Sequence, residues 1–347
     1  KHAPTIVVDQ LFRPPLKIEN VKHYAMLESF QLKDIKKIFN FIQQKELIRF
    51  RLNKWKTILR EHKPKVVIVE GFPFCRHQFA YEYFSYIKIA KESGAKLICS
   101  VRDYPWDEPH EASVQDWIAT TQNLVLRSFF EKVLVHGDDK ILPLMADRVR
   151  ITNTKELIDE IKDMIVYTGY VCDKSIPKHD TKNNHVYVSC GLNKEEVLLI
   201  FKQILKVAEK FPDLQFVMTM ANSYMEKLSN VKKGNVILTD YIPQLSKKMA
   251  NCKLLIAYGG YNTTMEILQG ECPAIIIPRQ NGQKVEQFVR AYAFEPLDVF
   301  KVCNPNELRT LPKIIESAIK DESFPKPFEY SMNGVENSAK EILNHVT

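Results

Sequence analysis

Residues 253–291 carry the densest chemistry in the chain. An apolar run of strand length, Leu254-Leu255-Ile256-Ala257-Tyr258, leads into Gly259-Gly260-Tyr261-Asn262-Thr263-Thr264, then into a short helical pattern, 265–269, that stops at Gly270. Paired glycines let a backbone approach a ligand closely. Asn262 or Thr263 can cap the helix and leave its first N–H groups facing outward. Those groups, at the positive end of the helix dipole, suit a pyrophosphate. Glu266 would be repelled by phosphates unless it turned away, and its acceptor-only carboxylate suits the diol of a ribose. The same residues also read as a plain strand-to-helix turn with Glu266 compensating the dipole. The pattern is neither GxGxxG nor a P-loop, because no lysine follows the glycines, so hydride transfer and ATP hydrolysis are poorly supported.

Other polar residues cluster at the ends of apolar runs. His136 and Asp138 follow one strand pattern, and a histidine there is either a candidate base or, more commonly, a structural hydrogen-bond former. Arg102-Asp103 follows another, either as a pair bracing its own loop or with Arg102 contacting an acceptor phosphate. Arg76-His77 is a weaker candidate of the same kind. His110-Glu111 has no second histidine at zinc spacing. Asp138-Asp139 and Asp103 do not form a DxD-like metal motif, so neither a metal nor a cofactor is expected.

These residues need elements to hold them. Short β-branched runs at 5–8, 21–26, 66–70, 97–101, 133–136 and 165–168 alternate with helical stretches, a rhythm of parallel α/β structure. Between the second and third lies a long amphipathic stretch, 32–61. Residues 177–184 are polar, contain a proline and lack apolar periodicity, as a linker does. The rhythm restarts with strands at 185–189, 215–220, 236–239, 253–258 and 274–277, separated by helices. The organisation is an N-terminal domain over 1–176, the linker, a C-terminal domain over 185–324 and a terminal segment, 325–347. Ligands of such sheets sit outside the carboxyl ends of the strands, so both domains would face one central cleft.

The bulk properties set limits. At 347 residues the chain is comfortable as two cores, and its 45% apolar content is that of a globular protein. No run approaches the ~18 apolar residues of a membrane span. The seven cysteines are scattered without a CxxC pair, which argues against a disulfide framework and for a cytoplasmic setting. The net charge of +7 fits an anionic partner. No zinc-finger spacing, aromatic RNA-binding signature or dense basic tail points to nucleic acid. The cations Lys45, Arg49, Arg51, Lys54, Lys56, Arg60, Lys63 and Lys65 are opposed only by Glu46 and Glu61. Such a run is usually a solvated helix face; the sharper reading is docking on an anionic membrane surface, peripheral on its inner face.

The run 258–268, followed by Gly270, Pro273 and Ile277-Pro278-Arg279, resembles the donor-site signature of a family of predicted bacterial glycosyltransferases. That family is related to the family 28 peptidoglycan transferase that adds N-acetylglucosamine to lipid I. Val69-Glu70-Gly71-Phe72-Pro73-Phe74, Cys99-Ser100-Val101-Arg102-Asp103, Val135-His136-Gly137-Asp138 and Tyr167-Thr168-Gly169-Tyr170-Val171 are similar to blocks of its N-terminal domain, so the likeness runs collinearly over 65–291. The resemblance implies a GT-B fold, two Rossmann-like domains with parallel sheets facing a cleft. It also implies transfer of a sugar from a nucleotide diphosphate, UDP-linked donor to a hydroxyl of a glycan or lipid-linked acceptor, without a metal. A nucleotide-sugar hydrolase or 2-epimerase of the same fold is the rival enzyme, and a non-catalytic donor-binding or scaffold subunit the rival without chemistry.

Carried over by position, the resemblance gives Glu266 the ribose hydroxyls and the turn of Gly259, Gly260, Asn262, Thr263 and Thr264 the pyrophosphate. Gln283, Glu286 and Gln287 are the candidates for the sugar hydroxyls, their spacing from Pro278 being one residue longer than the family pattern. Ile242 stands where backbone atoms read the base. Gly191, in Cys190-Gly191-Leu192-Asn193, stands where a two-glycine turn would approach the phosphates. The segment 325–347 is implied to pack back on the N-terminal domain. Against the family's strand count, 5–8 matches the second strand, so a first βα unit is expected upstream, with a loop histidine that serves related transferases as base.

Overall fold

A computed structural model describes residues 5–9, 21–25, 41–76, 79–104, 122–143, 154–180, 183–190, 194–231, 234–279, 285–321 and 323–346. The N-terminal half holds β1 (Thr5–Asp9), β2 (Val21–Ala25), α1 (Phe41–His62), β3 (Val66–Glu70), α2 (Ala80–Glu92), β4 (Lys96–Arg102), β5 (Phe130–His136), α3 (Thr154–Ile161) and β6 (Ile165–Tyr167). Strands β3-β4-β5-β6 form a parallel sheet in that order, while β1 and β2 pair with each other in parallel. The alternating residues Leu97, Cys99 and Val101 of β4 and Val133 and Val135 of β5 bury one face against Ile87 and Ala90 of α2, Val125, Leu126, and Ile158 and Ile161 of α3. Helix α1 covers 41–61 of the stretch 32–61 and ends at His62; residues 26–40 lie outside the described residues.

The C-terminal half contains β7 (His185–Ser189), α4 (Lys194–Ala208), β8 (Gln215–Thr219), α5 (Asn222–Lys227), β9 (Val236–Thr239), α6 (Leu245–Lys248), β10 (Leu254–Ala257), α7 (Tyr261–Gly270), β11 (Ala274–Ile276), α8 (Glu286–Phe294), β12 (Lys301–Val302), α9 (Leu311–Lys320) and α10 (Gly334–Asn344). Its parallel sheet runs β12-β11-β10-β7-β8-β9. Both faces are covered, so the strands are nearly continuous apolar runs. Val186, Val188, Leu254, Ile256 and Ile275 meet Ile200, Ile204, Leu311 and Ile315 on one side. Tyr187, Leu255, Ala257, Ala274 and Ile276 meet Met265, Leu268, Phe294 and Phe300 on the other. The chain steps outward from β7 through β8 to β9, then returns to β10 on the opposite flank of β7. The reversal lies between β7 and β10, where an open α/β sheet leaves a crevice at its carboxyl edge. The molecule is therefore two Rossmann-like α/β domains with parallel sheets.

Within the polar segment 177–184, residues 179, 180 and 183 contact the C-terminal domain. His179 N–H donates to Gly270 O (2.7 Å), Asp180 N–H to Ala250 O (2.9 Å) and Asn183 N–H to Asn251 O (2.6 Å), so these residues are held to the C-terminal domain. The last helix, α10, lies against the end of β6. Gly334 N–H donates to Tyr170 O (3.0 Å) and Asn337 Nδ2 to Thr168 O (2.8 Å), while Tyr170 N–H donates to Ser331 O (2.7 Å).

Candidate functional site

The carboxyl ends of β7 and β10 flank the crevice. From β10 the chain continues through Tyr258, Gly259 and Gly260 into α7. Gly260 itself is the N-cap, with extended backbone (φ −62°, ψ 149°) and no side-chain cap, so the capping role read for Asn262 or Thr263 passes to a glycine. Thr264 N–H closes the first turn onto Gly260 O at 2.9 Å, and the amides before it have no carbonyl within the helix to meet. A Cβ on Gly260 would meet nothing within 4 Å, whereas one on Gly259 would lie 2.9 Å from Ile276 Cγ2. Gly259 is therefore fixed by packing, while Gly260 faces open space. Asn262 is exposed and Thr263 half-buried; Thr264 is buried, and its hydroxyl has no partner among the described residues.

Glu266 sits one turn into α7, half-buried and facing the interdomain connection. Burial first, and Asp173 second, raise its carboxyl pKa above the ordinary value. The neighbouring Cys172 thiol is pushed up to about 11, by burial and then by Glu266. Ile242, beyond β9, is buried with Tyr187 and Met249, so only its backbone can be presented to a ligand. On α8, Gln287 Oε1 accepts from Arg279 N–H (3.0 Å), which ties that helix to the end of β11; Glu286 is half-buried one residue earlier. Gly191 and Gln283 lie outside the described residues. So do His77 and His110.

Three residues at this edge were given no individual role by the sequence, although two of them, Tyr258 and Arg279, lie within the signature. Tyr258 Oη donates to Glu196 Oε2 (3.4 Å), and the Arg279 guanidinium lies 5.3 Å from the Tyr258 ring centroid. The third is Arg290, 1% exposed, whose Nε and Nη2 donate to the two carboxylate oxygens of Asp103 at 2.6 Å each. Asp103 thus pairs across the domain boundary rather than with its neighbour Arg102. Arg102 is instead half-exposed, 3.7 Å from Glu70 and 5.7 Å from the Tyr261 ring. A basic residue on a helix carries no sequence signal naming a carboxylate 187 positions away.

His136 uses both ring nitrogens. Thr168 Oγ1 donates to a backbone carbonyl, Gly169 O at 3.0 Å or Val135 O at 3.2 Å, so it accepts from His136 Nδ1–H at 2.9 Å. Nε2 then accepts from Ser100 Oγ–H at 2.8 Å. Burial, the largest cause, lowers the imidazole pKa, Glu70 raises it and Arg102 lowers it further, so the ring is held neutral. Asp138 Oδ1 accepts from Lys140 N–H (3.0 Å), a local turn contact. The structure brings Arg102 and the His136 carbonyl to α7, where Tyr261 Oη donates to that carbonyl at 3.0 Å. Among the described residues, no group of three or more His, Cys, Asp or Glu is arranged to hold a metal ion, and no helix is long and apolar enough to cross a membrane.

Known proteins are similar to this chain in parts of its sequence and in its fold. Residues 185–346 match the Glycosyltransferase family 28 C-terminal domain. An uncharacterized UDP-glucosyltransferase of Bacillus subtilis (strain 168), YojK, is 25% identical over 246 residues, 68% of this chain and 58% of that protein. The chain thus spans little more than half the length of this relative. The glycotransferase of kitacinnamycin superposes with a TM-score of 0.55 at 15% identity, covering 93% of this chain and 83% of its own. Acinetobacter baumannii MurG gives 0.51 at 12% identity, over 88% and 77%. At such identities the structural likeness is one of fold, and the fold is GT-B. Together with the domain match this gives the chain a GT-B fold whose C-terminal part is related to the C-terminal domain of glycosyltransferase family 28.

Proposed function

We propose that the chain transfers a sugar from a nucleotide diphosphate donor, UDP-linked, to an acceptor hydroxyl of a glycan or a lipid-linked glycan. The observation that carries this reading is the position of the Gly259-Gly260 turn. It stands at the sheet's reversal point, with the amino end of α7 behind it and an unpartnered Thr264 hydroxyl in the first turn. Outward N–H groups and the helix dipole receive the pyrophosphate and stabilise it as it departs, the part a metal ion plays elsewhere. Glu266 accepts from the ribose hydroxyls, and its raised pKa fits a partly desolvated carboxylate waiting for donors. Glu286 and Gln287, at the start of α8, lie on the sugar side. A UDP-glucosyltransferase name on the Bacillus relative supports the choice of UDP.

Calorimetric titration with UDP tests the reading. Binding to the parent chain is expected, and Glu266→Ala should weaken it by about 1.5–3 kcal/mol, the worth of a hydrogen bond to a buried charged group. Equal affinity in the variant would remove Glu266 from the site. Product analysis then separates transfer from hydrolysis or 2-epimerisation, both of which proceed without an acceptor; binding without turnover is the outcome for a scaffold subunit.

A second reading concerns the acceptor side. Along one stripe α1 exposes Arg49, Lys56 and Arg60, continued by Lys63, with Phe50, 56% exposed, flanking it. Cations beside an exposed aromatic suit peripheral docking on an anionic membrane face, where a lipid-linked acceptor resides.

A further inference from the structure

Between two Rossmann-like domains the default expectation is a wet, movable boundary. Here a fully buried ion pair crosses it. Asp103, 0% exposed at the end of β4, receives Arg290 Nε and Nη2 at 2.6 Å each and also the Tyr104 N–H at 2.8 Å. Room for it exists because position 137 is glycine: a Cβ there would lie 3.0 Å from Asp103 Cβ. The remaining arm of the guanidinium, Nη1, donates to Gly259 O at 2.9 Å. A peptide unit is planar and trans, so its C=O and N–H point in opposite directions. With the Gly259 carbonyl turned to Arg290, the Gly260 N–H is turned away from the buried pair. Next along the chain, Tyr261 Oη donates to His136 O and accepts from Val171 N–H at 2.9 Å, while Arg290 stacks 5.4 Å from its ring centroid. The Arg290 contacts to the Gly259 carbonyl and the Tyr261 ring, and both hydrogen bonds of the Tyr261 hydroxyl, end on residues 259 and 261.

We infer that Asp103 and Arg290 are positioning residues for the donor loop. The carboxylate of the N-terminal domain orients Arg290, and Arg290 fixes the peptide that opens the phosphate-binding turn. Nucleotide affinity then depends on a carboxylate that touches no nucleotide and belongs to the opposite domain. This rests on the donor reading proposed above for what the loop binds, but not for the loop's being held. Removing either partner leaves an uncompensated buried charge, so the loop rather than the pair alone is expected to loosen.

Hydrogen–deuterium exchange on the full chain tests the holding, and calorimetric UDP titration tests its consequence. In Asp103→Asn the amides of 259–264 are expected to exchange at least tenfold faster while those of β10 stay protected, and UDP affinity should fall at least tenfold. Arg290→Lys, which retains the charge but not the fork, should show the same pattern less strongly. Tyr261→Phe provides a milder variant with the ion pair intact, in which exchange at 259–264 rises by a smaller factor. Unchanged exchange at 259–264 in Asp103→Asn overturns the proposal. So does equal loss of protection in β10 and in 259–264 for both Asp103→Asn and Arg290→Lys, which marks a merely structural pair. If the parent chain binds no UDP but the exchange pattern appears, the latch stands and the nucleotide reading falls.

Discussion

His136 shows how one side chain's environment decides its state. Its ring is enclosed between Ser100 and Thr168, with both nitrogens satisfied in the neutral form and burial holding the pKa below its ordinary value. The unfolded chain takes up a proton near pH ~6.5, where the folded chain resists it. Between that pH and the lower folded pKa the unfolded state binds more protons, so stability rises with pH across this window. The contribution is complete above pH ~6.5 and is lost as pH falls through the folded pKa. Urea unfolding of the parent and of His136→Gln between pH ~7.5 and ~5.5, about one unit either side of the free imidazole, measures it. The parent should lose stability relative to the variant on acidification. Parallel curves would show that the imidazole does not resist protonation. The sequence marked His136 as a strand-end residue, and that much is how it sits. The partners that settle its chemistry come from β4 and from the end of β6, and no local pattern names them.

At the scale of elements the sequence was most legible where periodicity is strong. The runs at 66–70, 185–189, 215–220 and 253–258 were read as strands from short β-branched, apolar stretches alternating with helical ones, and the strands form there, ending one residue earlier in the last two cases. The turn after β10 was legible too, through its glycines, but not its cap: Asn262 and Thr263 are good capping residues, yet the helix starts two residues earlier, from Gly260. Illegible were features made by distant segments meeting, such as Asp103 with Arg290, or His179, Asp180 and Asn183 with the end of α7 and the loop before β10. The junction of α10 with the end of β6 is of the same kind. A Cβ on Gly334 would come within 2.5 Å of Gly169 O and 2.6 Å of Tyr170 O, both backbone atoms of a segment that also hydrogen-bonds the helix start. Gly334→Ala must push α10 off this seat and is expected to cost about 1–3 kcal/mol, the usual range for overpacking. Chemical denaturation measures it. An unchanged midpoint would mean that α10 shifts freely and contributes little to the fold.

The whole molecule combines a net charge of +7 with an uneven placing of it. The exposed face of α1 presents Arg49, Lys56 and Arg60 in one line along the helix with Phe50 to one side, and Lys63 and Lys65 follow, with Glu46 and Glu61 as the carboxylates on the same helix. The opposite face of α1 is committed to the fold. Ile58 and Leu59 are buried, Trp55 Nε1 donates to Tyr86 O at 3.1 Å, and Arg51 pairs with the buried Glu82 of α2. The helix therefore cannot roll to hide its cations, and it meets any approaching surface with the same stripe. On an anionic bilayer each basic residue near the surface contributes about 1 kcal/mol, so Arg49→Gln, Lys56→Gln and Arg60→Gln together should weaken partitioning by about 3 kcal/mol, on the order of a hundredfold. Co-sedimentation with vesicles rich in an anionic phospholipid measures this directly. Binding should be strong at low salt and fall steeply as the Debye length shrinks from ~30 Å at 0.01 M to ~10 Å at 0.1 M. Phe50→Ala should lower it further at every salt concentration, because burial of an aromatic ring is not screened. Vesicles that fail to carry down the parent chain even at low salt would leave the stripe as a solvated helix face, and the acceptor would then have to reach the cleft from solution.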